Sequence, residues 1–190
     1  MGKRYYWNGG NSLIFFSVFL FVLLQRAVEL VIARRNEKLL LAKGAYEVGA
    51  SHYPYIVILH IGFLMSLLIE VMYEATFSLV HPLLLVFFLV VQCVRIWCIQ
   101  SLGVYWNTKI IVLRGADVVV RGPYKFLRHP NYVIVCLEIL LLPVMFGAYF
   151  TALLFTALNL WMLFIRIPLE EEALTYATNY TEAMNKSSKI

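Results

Sequence analysis

The sequence predicts an all-α integral membrane protein with about five transmembrane helices, and three observations lead to this fold class. Apolar residues make up 62% of the 190 residues and charged residues only 14%, whereas soluble domains are about half apolar and about a quarter charged. The apolar residues are collected into long runs, and a helix needs roughly 20 such residues to cross a bilayer. Lysine and arginine residues concentrate in alternate connections between these runs, as membrane topology requires.

The apolar runs define the predicted helices in order. Each of the first three runs predicts one helix: Leu13–Ala33, Tyr53–Met72 and Leu79–Ile99. The last run, Tyr132–Ile167, is long enough for two helices, and the small, turn-prone segment Phe146–Ala148 predicts a hairpin within it. We expect one domain over 1–190, with a three-helix part at 13–100 and a second part at 101–185.

The distribution of positive charge predicts the orientation of the chain. Lysine and arginine residues follow the first, third and fifth predicted helices, whereas the connections between helices two and three and between four and five carry none. Five helices with the N-terminus outside and the C-terminus in the cytosol place all the segments rich in lysine and arginine on the cytosolic side of the membrane. This topology also explains the net charge of +5, so no nucleic-acid partner is predicted.

The connection between helices three and four, Ser101–Asn131, is long for a small membrane protein. Two short β-branched runs, Ile110–Leu113 and Val118–Val120, flank the turn-like segment Arg114–Asp117. This pattern predicts a short extended hairpin, or an irregular cap, on the membrane surface. Long ordered loops are commonly functional.

Two polar clusters lie at the ends of the predicted hairpin. The first, Gly122–Tyr132, contains Pro130 near its end, and this proline suits the start of a helix whose first N–H groups are free. The second, Arg166–Glu172, contains Pro168, which predicts a new helix with Glu170 in its first turn. The hairpin brings both clusters to one membrane face. The alternative interpretation is an amphipathic membrane-entry segment with ordinary capping residues.

The two clusters together resemble the isoprenylcysteine carboxyl methyltransferase family. The resemblance is carried by Gly122-Pro123-Tyr124, Arg128-His129-Pro130-Asn131-Tyr132, Arg166 and the pair Glu170-Glu171, and it extends to Leu102-Gly103-Val104-Tyr105-Trp106. It implies a membrane fold whose C-terminal half encloses S-adenosylmethionine beneath a cap formed by the loop. Where the family often has Phe-Gly and then Tyr after its Glu-Glu helix, this chain has Thr178-Asn179-Tyr180.

The resemblance also assigns residues to the site. Those expected to contact the cofactor are Ala116, Asp117, Val118, Val119, Tyr124, His129, Pro130, Asn131, Tyr132, Glu170 and Glu171. Arg166 is expected to face the methyl acceptor.

Polar residues inside the apolar runs give a second set of candidates. Glu138 is a candidate catalytic residue, because carboxylates within membranes are commonly functional. An ion pair with Arg95 or Arg26 is an equally open alternative, and Arg26 and Glu29 are expected to neutralise each other on one helix face. A phenol acceptor would need deprotonation, for which Glu138, His129 and Glu171 are open choices. No Cys/His spacing predicts a metal site or a disulfide.

The implied activity is methyl transfer from S-adenosylmethionine to an oxygen of a lipophilic acceptor at the cytosolic membrane face. The acceptor would be a carboxylate, or a phenol or pyrone hydroxyl, on a long-chain or isoprenoid lipid taken from the bilayer. The resemblance to small bacterial members implies a bacterial cytoplasmic membrane. Two alternatives stay open: an NADPH-dependent membrane reductase of the sterol-reductase type, and a non-catalytic membrane scaffold.

Overall fold

The computed structural model describes residues 9–74 and 82–187, and helices make up most of this part of the chain. Within it the helices are α1 Gly9–Leu41, α2 Tyr53–Glu74, α3 Pro82–Leu102, α4 Pro130–Met145, α5 Tyr149–Ala177 and α6 Tyr180–Ser187. The strands are β1 Tyr46–Val48 and β2 Ile110–Val112. Short 3₁₀ turns occupy Ala50–His52, Gly103–Tyr105 and Gly122–Lys125.

Four of the described helices have the length and composition of membrane spans. Among the described residues, α1, α2, α3 and α5 are long and apolar enough to cross a bilayer. Helix α4 is also apolar, but its 16 residues make it about 24 Å long, against a hydrocarbon core of about 30 Å. Large apolar side chains such as Leu153 and Phe164 point outward, where lipid can cover them. The prediction of an all-α integral membrane protein is confirmed. The predicted start of the third helix, Leu79, lies outside the described residues.

The predicted hairpin between α4 and α5 is present, and it turns at the predicted segment. Gly147 adopts a positive φ of 74°, a conformation that glycine takes without strain. On the other side of the turn, the carboxylate of Glu70 in α2 accepts hydrogen bonds from the backbone N–H groups of Phe150 (2.9 Å) and Thr151 (2.7 Å). These bonds satisfy free N–H groups in the first turn of α5, so α2 fixes where α5 begins.

Helix α5 is longer than the sequence predicts. It passes through Pro168 and ends at Ala177, so the prediction of a new helix at Pro168 is wrong. An internal proline removes one backbone donor, and the packing of α5 against α4, α2 and β2 stabilises the helix through that point. Glu170–Glu172 therefore lie in the interior of α5, and the helix-dipole argument for them does not apply.

The two strands form a small sheet, in which β2 pairs with a different segment from the predicted one. β1 and β2 pair antiparallel, with Tyr46 opposite Val112 and Val48 opposite Ile110. Val118–Val120 form no strand, so the predicted hairpin is wrong and the irregular alternative describes this loop. After β2 the chain turns at Gly115, whose N–H donates to the carbonyl of Ala177 at 2.9 Å. The loop thus docks on the end of α5 instead of folding back on β2.

A buried ion cluster joins α1, α3 and α4. Arg95 bonds Glu29, at 2.7 Å through Nη2, and also bonds Glu138. Arg26 contacts Glu29 at 3.0 Å and Glu138 at 2.6 Å, and Gln92 donates to Glu138 at 2.8 Å. The expected Arg26–Glu29 pair is present. Two arginines balance two carboxylates, and such pairing is how charges are accommodated at membrane depth.

Candidate functional site

A large cavity lies at the end of the α4–α5 hairpin remote from the Gly147 turn. It holds ≈ 1080 Å³ of empty space, including the space at its mouth, whereas two other cavities hold ≈ 420 and ≈ 320 Å³. Its walls come from β2 with the loop after it, the start of α4, the last turns of α5, and α6.

Most of the residues that the sequence assigns to the site line this cavity. They are Ala116, Asp117, Val118, Val119, Tyr124, His129, Asn131, Tyr132, Arg166 and Glu170. Pro130 starts α4 and is buried beside the cavity, and Glu171 bonds two residues of the wall. Glu138 does not line the cavity, because it is held in the ion cluster between α1, α3 and α4.

The hydroxyl of Tyr132 connects the two polar clusters. It donates to a carboxylate oxygen of Glu170 and accepts a hydrogen bond from Nε of Arg166 at 2.8 Å. Arg166 also donates through Nη2 to the carbonyl of Thr108 at 2.6 Å. A guanidinium carries five N–H groups, so these two bonds fix its plane and leave further donors for a ligand.

His129 lies beside this arrangement at the N-terminal end of α4. Its ring stacks on Tyr132, with centroids 5.4 Å apart, and its Nε2 lies 3.0 Å from a carboxylate oxygen of Glu171. The hydroxyl of Tyr180 donates to the same oxygen at 3.0 Å. Burial, followed by this hydrogen bond to Glu171, raises the pKa of Tyr180, so its hydroxyl stays protonated and can donate.

Three buried polar atoms on the cavity wall have no oxygen or nitrogen partner among the described residues. They are the indole Nε1 of Trp106, the hydroxyl of Tyr124 and the amide oxygen of Asn131. The Tyr124 hydroxyl lies beside the thiol of Cys98, and burial raises the pKa of Tyr124. Buried polar groups are normally hydrogen-bonded. The three atoms offer a donor, an acceptor and a group that can do both, which fits a polar ligand.

Lys109 fixes the β2 side of the cavity to the N-terminal part of the chain. Its ammonium contacts Glu37 of α1 at 2.8 Å and Glu47 of β1 at 3.0 Å. The hydrogen bond to Glu37 is the largest contribution that raises the pKa of Lys109. Its charge is therefore compensated by carboxylates of α1 and β1.

The sequence did not single out Thr108, Trp106, Lys109 or Tyr180 as site residues. Trp106 falls in the Leu102–Trp106 segment that carried part of the resemblance, and Tyr180 falls in the segment that departs from it. Thr108 contributes its carbonyl, which no sequence pattern marks. Across the described residues, no group of three or more His, Cys, Asp and Glu side chains could hold a metal ion.

The fold and the cavity together define a class: a small helical membrane protein with a polar cavity at the mouth of a helical hairpin. The sequence profile of the isoprenylcysteine carboxyl methyltransferase family matches residues 83–176. The chain belongs to this family of membrane methyltransferases.

Two relatives extend the similarity across most of the chain. An uncharacterized Bacillus subtilis protein, YpbQ, is 45% identical over 163 residues, which is 85% of this chain and 96% of the relative. An uncharacterized Haemophilus influenzae protein is 29% identical over 157 residues, 82% of this chain and 91% of the relative. No solved structure gives a significant match.

Proposed function

We propose that the protein transfers a methyl group from S-adenosylmethionine to an oxygen atom of a lipophilic acceptor taken from the bilayer. The observation that carries this proposal is the meeting of the two polar clusters in one cavity, where the Tyr132 hydroxyl bonds both Arg166 and Glu170. Members of the matched family are methyltransferases, and methyl transfer from a sulfonium needs alignment and exclusion of water more than covalent catalysis.

The cavity offers groups that suit the cofactor. When bound, S-adenosylmethionine supplies an electrophilic methyl group for in-line displacement. The unpartnered atoms of Trp106, Tyr124 and Asn131 match a ligand that carries hydroxyls and ring nitrogens. The carboxylates of Asp117 and Glu170 line the same cavity and suit an ammonium group.

Arg166 is the group that would orient the acceptor. Its guanidinium is held by Tyr132 and Thr108, so its remaining N–H groups are preorganised for a carboxylate or phenolate. A phenol must also lose its proton. His129 is the choice we propose, because it lines the cavity and has Glu171 at hydrogen-bond distance behind it. Glu138 lies in the ion cluster and is not given this role.

We further propose that the cavity opens to the cytosol, where the cofactor is available. The support is the charge asymmetry, since lysine and arginine residues concentrate in the connections after α1 and α3, and the predicted topology puts the C-terminal end of α5 on the same side. The acceptor would be a long-chain phenol, pyrone or carboxylate whose tail stays among the helices. Outward apolar side chains on α5, such as Phe164, suit lateral entry from lipid.

The test is direct binding to the purified protein in detergent. Tritiated S-adenosylmethionine should bind, and NADPH should not compete. His129→Ala and Glu170→Ala should each weaken binding about tenfold or more, because each removes a polar group from the wall. Tyr176→Ala, an 81% exposed site on the same helix as Glu170, is the matched control. Binding of NADPH alone would favour the reductase, and binding of neither would favour the scaffold.

A further inference from the structure

The loop that forms one wall of the cavity is fastened to the junction between α5 and α6. The backbone N–H of Val118 donates to the side-chain oxygen of Asn179 at 2.8 Å, and the side-chain amide of Asn179 donates to Asp117 at 2.7 Å. Nearby, the N–H of Gly115 donates to the carbonyl of Ala177 at 2.9 Å. The side-chain amide of Asn179 thus bonds two consecutive loop residues, accepting from Val118 and donating to Asp117.

Asn179 occupies the N-cap position of α6, and its carbonyl accepts the N–H of Ala183 at 3.0 Å. An asparagine at this position normally caps its own helix by accepting an N–H in the first turn. Here the side-chain oxygen accepts from Val118 instead. Asparagine can accept from Val118 and donate to Asp117 at the same time, because its side-chain amide has an acceptor and a donor side by side.

We propose that Asn179 is a positioning residue that holds the loop 114–119 closed against α5 and α6, and that it thereby sets the rate at which the cofactor leaves. This inference rests on the proposed function. Asn179 belongs to the segment Thr178-Asn179-Tyr180, where the chain departs from the family pattern.

The geometry explains why this contact controls the cavity. Asp117 and Val118 line the cavity from the loop, and Thr178 and Tyr180 line it from the α5–α6 junction. Asn179 lies between the latter two in sequence and joins the walls. Both of its hydrogen bonds are exposed to solvent, so water can replace them at small cost when the loop opens.

The first measurement is the dissociation rate of tritiated S-adenosylmethionine, chased with excess S-adenosylhomocysteine. Asn179→Ala should raise the rate about three- to tenfold, as expected for the loss of two exposed hydrogen bonds. Thr181→Ala, an exposed site on the same short helix, should leave it unchanged. A rate for Asn179→Ala within twofold of the wild-type rate would overturn the proposal.

The second measurement needs no cofactor, so it separates this inference from the proposed function. Hydrogen exchange of the Val118 amide should be faster in Asn179→Ala. It should rise less in Asn179→Asp, because the new carboxylate still accepts from Val118 while its contact with Asp117 becomes repulsive. The exchanged pair Asp117→Asn with Asn179→Asp should restore protection, since it rebuilds one amide opposite one carboxylate. Unchanged exchange in all variants would overturn the proposal even if the cofactor binds, whereas a wild-type protein that does not bind the cofactor refutes the proposed function.

Discussion

Replacing Arg166 with lysine keeps the positive charge but removes the planar fork of donors. In the structure Arg166 bonds Tyr132 through Nε at 2.8 Å and Thr108 through Nη2 at 2.6 Å. A lysine carries one ammonium at the end of a flexible side chain, so it can keep one of these two bonds but not both. It also lacks the planar group whose orientation the two bonds fix. A hydrogen bond to a charged group contributes about 1.5–3 kcal/mol, which corresponds to about 10- to 150-fold in rate.

The assay is methyl transfer from tritiated S-adenosylmethionine to long-chain acceptors in detergent, with an alkylphenol, an alkylpyrone and a prenylated cysteine tried in parallel. We expect Arg166→Lys to keep cofactor binding within threefold but to lose turnover by the factor above, because the interaction is felt chiefly in the transition state. Arg34→Lys, at an exposed arginine of α1, is the matched control and should retain turnover. A lysine variant at position 166 with near-normal turnover would refute the reasoning and return Arg166 to a membrane-anchoring role.

Three further outcomes are expected. Glu138→Gln should lower the free energy of unfolding by about 3 kcal/mol, since it leaves Arg95 short of a buried partner; loss of turnover in folded protein with full thermal stability would contradict this. A membrane-impermeant thiol reagent added from the cytosolic side should label Tyr176→Cys and not Tyr149→Cys, both exposed near opposite ends of α5, and labelling of both from one side would refute the topology. Tyr180 has a raised folded-state pKa, so its contribution to stability is complete below the unfolded value of about 10 and declines as pH rises above it. The unfolding temperature of Tyr180→Phe should therefore fall less than that of the wild type above pH 10. Parallel curves of unfolding temperature against pH would contradict the assignment.

The convergence of the site residues could be predicted because it follows from local rules. A turn at Phe146–Ala148 makes a helical hairpin, and a hairpin brings the start of α4 and the end of α5 to one membrane depth. His129 and Arg166 could therefore be placed together from sequence spacing alone. Their connection through the hydroxyl of Tyr132 depends on side-chain rotamers, which spacing does not determine.

The features that sequence reasoning missed are set by distant partners. The extended run Ile110–Leu113 is predictable from its β-branched residues, but its partner Tyr46–Val48 is not, because that strand lies more than 60 residues earlier. Pro168 is read as a helix start because the intrinsic preference of proline favours it, and packing overrides that preference. The hydrogen bonds from Asn179 to the loop likewise could not be predicted from the local sequence, because asparagine before a helix normally predicts an N-cap.

The pairing of β1 with β2 has a consequence for modularity. The family profile begins at residue 83, yet the strand that borders the cavity is completed by residues 46–48. Asn36 of α1 also donates to the carbonyls of Gly103 (3.1 Å) and Trp106 (2.7 Å). A fragment trimmed to the profile would lose both supports. The residues that build this site therefore reach back into the first helix, and exchanging N-terminal segments between relatives should disturb the cavity although no residue within 83–176 is changed.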